Sequence, residues 1–167
     1  DAGMTHAEFG TESLSPSMLA SYRKPFSVDD VHEAHSAAVA AGLHVCHYLL
    51  LGGPGENRET LEETLAHAAR LERTVIFFFC GIRIYPHTAL YEIALREGQI
   101  SEQDDLIEPV FYQSRDISGE EIIRITTERA AGRENWFIGT GGRLTTRLVA
   151  RLHRQGHTGP LWEMMIR

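Results

Sequence analysis

Apolar runs of strand length alternate along this chain with stretches whose apolar positions recur at helical spacing. Three segments read as strands that end in polar or turn residues. They are Thr5 to Ser13, the run His47-Tyr48-Leu49-Leu50-Leu51 entering Gly52-Gly53-Pro54-Gly55-Glu56, and Val75 to Cys80 continuing through Gly81-Ile82-Arg83-Ile84 to Tyr85-Pro86-His87-Thr88. Between the first two, Ser15-Pro16-Ser17 opens a short helix to about Tyr22. Ser27 with Asp30 three residues on makes a capping-box start for a second helix, running to Ala41 and ended by Gly42. Its inner face reads as Val28, Val31, Ala34, Ala38 and Ala41, small side chains that let a helix lie close on a sheet. Asn57 caps a third helix with Leu61, Leu65, Ala68 and Leu71 inward.

Downstream, Pro86 and Thr88 stop the third strand and open a helix through Leu90, Ile93 and Ala94, closed by Gly98. Residues 99–117 are acidic and irregular, with Pro109-Val110-Phe111-Tyr112 as a short extended piece. Ser118 with Glu121 caps a helix to about Gly132, and a last helix of about Gly142 to Gln155 carries Leu144, Leu148, Val149 and Leu152 inward. Strand starts about 40 and about 31 residues apart fit βαβ units, which make a parallel sheet with functional residues at the carboxyl ends of its strands. Glu12, Gly52 to Glu56 and Arg83 to Thr88 are therefore expected along one rim. The expected class is α/β: the C-terminal part of a (β/α) partial barrel with parallel strands over residues 1–100, then a helical C-terminal extension over 101–167. Three parallel strands leave unpaired edges, so further strands are expected ahead of the chain, and the chain by itself is expected to self-associate. It enters a strand within a few residues of Asp1, without an initiating methionine, and reads as a fragment.

Composition narrows this picture. In 167 residues, 43% hydrophobic and 23% charged, there is material for one soluble core. The longest apolar runs are far too short to cross a bilayer and no secretion signal opens the chain, so a cytoplasmic location is expected. Cys46 and Cys80 lie in strand runs, where a disulfide framework is not expected. A net charge of −7 argues against nucleic acid as a partner. From Gly141 onward the balance reverses: Arg143, Arg147, Arg151 and Arg154 fall on one helical face. That stripe is either a solvated face or a contact for phosphate, an acidic partner or a further domain.

Three motifs in order, Glu8-Phe9-Gly10-Thr11-Glu12-Ser13, Gly52-Gly53-Pro54-Gly55-Glu56 and Tyr85-Pro86-His87-Thr88 followed by Leu90-Tyr91, resemble the second half of a radical S-adenosylmethionine enzyme. The resemblance covers about residues 3–100. It is strongest to the branch that often carries an N-terminal cobalamin-binding domain. It implies a partial barrel whose [4Fe-4S] cluster, held by a CxxxCxxC loop after the first strand, reductively cleaves S-adenosylmethionine to a 5′-deoxyadenosyl radical, for methylation or rearrangement, with cobalamin as a second cofactor in that branch. By position, Glu12 with Ser13 would face the ribose or methionine part, and Lys24, or Arg23 beside it, the methionine carboxylate. Gly52, Gly53 and Pro54 would pass the adenine, with Arg83 and Ile84 bordering the same pocket. Tyr48 stands where several members carry an acid. No CxxxCxxC occurs in this chain. The resemblance therefore implies a missing N-terminal half as its partner, a small-molecule substrate chosen by loops outside the matched residues, and no catalysis by this chain alone.

The residue types suit such a ligand: a carboxylate accepts from hydroxyls or an ammonium, a lysine neutralises a carboxylate, and glycines admit a flat ring against backbone. Each also has a plainer use. Glu12 could cap the short helix near Ser15, Lys24 and Arg23 could be solvated, and Gly52 to Gly55 could be only a tight turn. His32 with His35, and His44 with His47, suggest metal pairs. An i, i+3 pair in a strand points to opposite faces, however, and neither pair has a third ligand at ligand-like spacing, so no metal site is expected. Phe77-Phe78-Phe79 reads as core. Two rival readings are a non-catalytic half-barrel that binds a nucleotide or partner through the arginine helix, and half of an ordinary phosphate-binding barrel.

Overall fold

The computed structural model describes residues 3–139, 150–157 and 159–166. Its centre is a four-stranded parallel sheet in the order β1-β2-β3-β6, from His6–Glu12 (β1), His44–Leu51 (β2), Thr74–Cys80 (β3) and Trp136–Ile138 (β6). Helices Pro16–Ser21 (α1) and Val28–Ala40 (α2) cross from β1 to β2, and Arg58–Ala68 (α3) crosses from β2 to β3. A two-stranded antiparallel sheet, Ile82–Arg83 (β4) with Phe111–Tyr112 (β5), and helix Ala89–Arg96 (α4) follow, before Gly119–Ala130 (α5) leads into β6. A 3-10 helix, Leu161–Met165, ends the described chain.

The expected strands, helices and caps are present where local chemistry specifies them. Ser27 and Asp30 make a reciprocal capping box on α2, Asn57 and Thr60 do the same on α3, and Ser118 accepts from the Glu121 N–H to start α5. The fourth strand, β6, was not anticipated: three residues are too few to show periodicity, and they become a strand by pairing with Ile76 to Phe78. The third strand run also divides. Gly81, at φ +88°, breaks it after Cys80, so Arg83 lies in the small second sheet instead of the main one. The inner face of α2 is Val28, Val31, His35 and Ala38, while Ala34 and Ala41 are exposed. Most of the last expected helix, including Arg143, Arg147, Leu144, Leu148 and Val149, lies outside the described residues; residues 150–154 are helical, with Arg151 and Arg154 exposed.

Alternation sends the strand side chains to two unlike faces. One face, Leu49, Leu51, Ile76 and Phe78, is sealed by Val28 and Val31 of α2, Leu61 and Leu65 of α3, and Ile122 and Ile125 of α5. Burying each such side chain contributes about 1.5–3 kcal/mol, so this layer fixes the register of the sheet. The other face carries Cys46, Tyr48, Val75, Phe77 and Phe137 under Trp162 and Met165. Its rings stack in a row, Tyr48 on Phe77 at 5.4 Å and Phe77 on Phe137 at 5.1 Å. Phe78 is thus core, while Phe77 and Phe79 are half-buried on the opposite face.

Candidate functional site

The carboxyl ends of β1 and β2 open on a cavity of about 250 Å³ lined by Glu12, Tyr22, Arg23, Leu50, Pro54 and Ile82, among others. A larger open hollow of about 760 Å³ lies between α1 and the start of α2, touches no strand end, and is lined by Lys24, Phe26 and Asp30, among others. The smaller cavity is where functional side chains of such a sheet are expected to gather.

Glu12 closes β1 after an irregularity in register, with its backbone in the left-handed region at φ +61°. That conformation is uncommon for a residue with a Cβ and persists only where surroundings impose it, which is characteristic of functional sites. Its carboxylate accepts from Lys24 Nζ at 2.7 Å. Arg23, immediately before Lys24, is likewise left-handed at φ +54°. Arg23 is the left-handed residue that ends α1, its N–H donating to the Ala20 carbonyl and the Lys24 N–H to that of Leu19, and the Glu12–Lys24 pair, with 30% and 21% of its side chains exposed, adds little to stability. Glu12 does not cap α1, whose N-cap Ser15 makes no side-chain capping bond.

The glycine turn is held from within. Glu56 is fully buried and accepts from the Gly52 N–H, while its Oε1 has no hydrogen-bond partner among the described residues. Burial pushes its carboxyl up to about 7, with the N–H groups of Gly52 and Gly53 opposing the rise. Gly52 sits at φ +88°, and a Cβ there would press on Gln113 and Ile122 at 3.3 Å. A Cβ on Gly53 would stand 2.3 Å from Tyr22 Oη, so the ring that this glycine admits here is the phenol of Tyr22. Tyr22 donates to the Leu50 carbonyl at 3.1 Å, and Ser21 Oγ to that of Pro54 at 2.7 Å, fastening α1 to the turn. Burial, then the Glu56 carboxylate, raises the phenol above its ordinary value.

The remaining candidates separate. Ser13 is buried with its hydroxyl against Thr64 Oγ1 at 3.0 Å, and Ile84 is buried with Ala94, Ile100 and Tyr112, so each can offer the rim only backbone atoms. Arg83 lies over the Tyr85 ring at 4.8 Å, and its buried Nε has no partner among the described residues. Tyr48 donates to Glu8 Oε2 at 3.1 Å on the open sheet face. Sequence reading missed Tyr22, whose contact with Gly53 crosses 31 positions and leaves no local signal. It did include Glu56 in the turn motif, but not its burial.

The histidines also divide. His44 is exposed and His47 buried, as strand alternation requires. His47 bridges Thr11 Oγ1 at 2.7 Å and His35 Nδ1 at 3.0 Å, and His35 Nε2 reaches the Glu72 carbonyl at 3.0 Å. His32 instead meets His67 at 3.2 Å.

No protein-family model matches the sequence. An uncharacterised methyltransferase of Pyrococcus horikoshii is 32% identical over 95 residues, which is 57% of this chain and 20% of that protein. Among solved structures, the radical S-adenosylmethionine methyltransferase TsrM of Kitasatospora setae, with cobalamin and a [4Fe-4S] cluster bound, matches 98% of the chain and 38% of its own, at a TM-score of 0.77 and 18% identity. Elp3 of the archaeon Methanocaldococcus infernus matches 92% of the chain and 37% of its own, at 0.57 and 17%. The chain spans a fifth of the methyltransferase relative and under two-fifths of each solved neighbour. It has the fold of the corresponding part of a cobalamin-associated radical S-adenosylmethionine methyltransferase, as the resemblance in its motifs implies.

Proposed function

We propose that this chain is the C-terminal part of the catalytic barrel of a radical S-adenosylmethionine enzyme, of the methyltransferase kind, and that its rim holds S-adenosylmethionine. One observation carries the reading: Glu12, left-handed at the end of β1, lines one cavity with Pro54 of the glycine turn and accepts from Lys24 Nζ at 2.7 Å. An ion pair so placed is complementary to an α-amino-acid zwitterion. Lys24 can turn to the methionine carboxylate and Glu12 to the ammonium, each exchanging one charged partner for another. The turn and Pro54 then border the nucleoside, and Arg83 has a buried N–H to offer a hydroxyl or carboxylate. A cavity of about 250 Å³ falls below the roughly 300–1,000 Å³ of complete small-molecule sites, which suits a site shared with further strands.

The cluster does not fit this chain. Thiolates bind iron, and the two cysteines are Cys46, whose thiol burial pushes up to about 12, and Cys80, also raised by burial. Cluster ligands, and cobalamin if the whole protein uses it, belong to residues outside these 167. S-adenosylmethionine supplies a sulfonium-borne methyl and adenosyl group when bound; this chain's part is to bind and orient it. The test is anaerobic reconstitution of the longer protein containing this segment. An oxygen-sensitive iron–sulfur absorption with S-adenosylmethionine cleavage supports the reading, and a reconstituted protein that takes up no cluster overturns it.

A further inference from the structure

At the opposite, amino-terminal end of the strands, three side chains from distant segments converge on the open sheet face. His6 and His44 are direct partners in the β1–β2 register, with rings stacked at 4.9 Å. Glu163, from the C-terminal 3-10 helix, reaches His6 Nε2 at 2.6 Å. One nitrogen or oxygen from each of the three lies within 4.8 Å of the others. We propose that His6, His44 and Glu163 form a site for Zn²⁺ or a similar borderline divalent ion, which clamps the C-terminal segment onto the foot of the sheet.

The donor set is right for such an ion: two imidazoles and one carboxylate leave the fourth position of a tetrahedron for water. The surroundings orient it. Thr5 Oγ1 lies 2.8 Å from His6 Nδ1, which fixes the ring and turns Nε2 toward Glu163, the outer-shell arrangement that metal-binding histidines use. Trp162 donates from Nε1 to Glu8 at 2.9 Å and sets its edge against His6 at 5.5 Å, so the residue beside Glu163 is anchored. Gly159 lets the Glu163 carboxylate lie where a Cβ would come within 2.9 Å of it. Ligands about 2.1 Å from a tetrahedral ion stand roughly 3.4 Å apart, so the His6–Glu163 contact opens slightly and His44 turns inward. His44 is exposed and has room to do so. A clamp at this end stabilises the fold without entering the rim chemistry, in keeping with the division of labour between the two ends of a barrel.

The competing account is a simple His6–Glu163 ion pair, in which His44 has no part. Calorimetric titration of the 167-residue chain with Zn²⁺ separates the two, with circular dichroism to verify each variant's fold. The expected result is one saturable site, weakened at least tenfold in His44→Gln and in Glu163→Gln, about 10–100-fold in Thr5→Val, and unchanged in His32→Gln. Zinc should raise the melting temperature of the wild type and leave that of His44→Gln where it was. Absence of saturable binding overturns the proposal. So does binding that survives His44→Gln but is lost in His32→Gln, which would place zinc at the His32–His67 pair.

Discussion

Replacing His47 with glutamine should change how stability depends on pH, by an amount that follows from its hydrogen bonds. His35 Nε2 must donate to the Glu72 carbonyl, which leaves His35 Nδ1 as an acceptor. His47 Nε2–H then donates to it, His47 Nδ1 accepts, and the Thr11 hydroxyl donates. The run of bonds has one direction and requires both rings neutral. Burial, then the neighbouring histidines, lowers His47 to about 3, and burial lowers His35 as well. A histidine depressed in the folded state binds its proton more readily when unfolded, so its stabilisation is present above about 6.5 and is lost as pH falls toward 3. Each pH unit in that window is worth about 1.4 kcal/mol, or about 2 kcal/mol between pH 6.5 and 5.0. Glu56 works in the opposite sense: raised to about 7, it favours folding below its unfolded value and loses that contribution as pH rises to 7. The two nearly cancel in the wild-type curve between 4.5 and 6.5, so the difference between wild type and His47→Gln is the quantity to measure. Glutamine keeps one donor and one acceptor but does not titrate. Urea unfolding followed by circular dichroism at pH 7.5, 6.5, 5.5 and 5.0 should show the wild type losing about 2 kcal/mol relative to the variant between 6.5 and 5.0. Parallel curves, or a His47 resonance titrating near 6.5, would refute the neutral chain.

Glu56→Gln should remove the opposing dependence and stabilise the protein above pH 7 relative to wild type, most at pH 8, as read by the same unfolding curves. Gly53→Ala should cost about 1–3 kcal/mol by forcing the Tyr22 ring from its seat, and Tyr22→Ala should recover part of that loss in the double variant. Among the described residues β1 and β6 are the edges of the four-stranded sheet, and Tyr48, Phe77 and Phe137 on one of its faces are only partly buried, so the isolated chain should self-associate; light scattering at micromolar concentration that finds only monomer contradicts this.

What was legible in the sequence was whatever local spacing encodes. The capping pairs Ser27–Asp30 and Ser118–Glu121 lie three residues apart and specify helix starts without help from the fold. The runs at His47 to Leu51 and Val75 to Cys80 are apolar enough to be strands in any context. The misreadings are nonlocal. The expected inner face of α2 includes Ala34 and not His35, yet His35 is buried because His47 offers it a partner twelve positions away. β6 exists through its pairing with β3, and Gly81 ends a run whose apolar pattern continues. At the rim, Glu12 and Pro54 line one cavity because parallel strands align their carboxyl ends, and Lys24 reaches Glu12 from the end of α1. Ser13 and Ile84 do not join them with their side chains, since their neighbours in sequence take the rim and alternation turns them into the core. That Gly53 is matched to Tyr22 could be seen only once α1 was placed.

The central claim, that the Glu12–Lys24 pair and the glycine turn form part of an S-adenosylmethionine site, is tested most directly by titrating the folded chain with S-adenosylmethionine and following amide resonances. Saturable shifts should fall at Glu12, Lys24 and Gly52 to Glu56, and Lys24→Met and Glu12→Gln should each weaken binding about tenfold or more, the 1.5–3 kcal/mol of one charge-assisted contact. Shifts that map elsewhere, or an affinity that neither substitution changes, would contradict it.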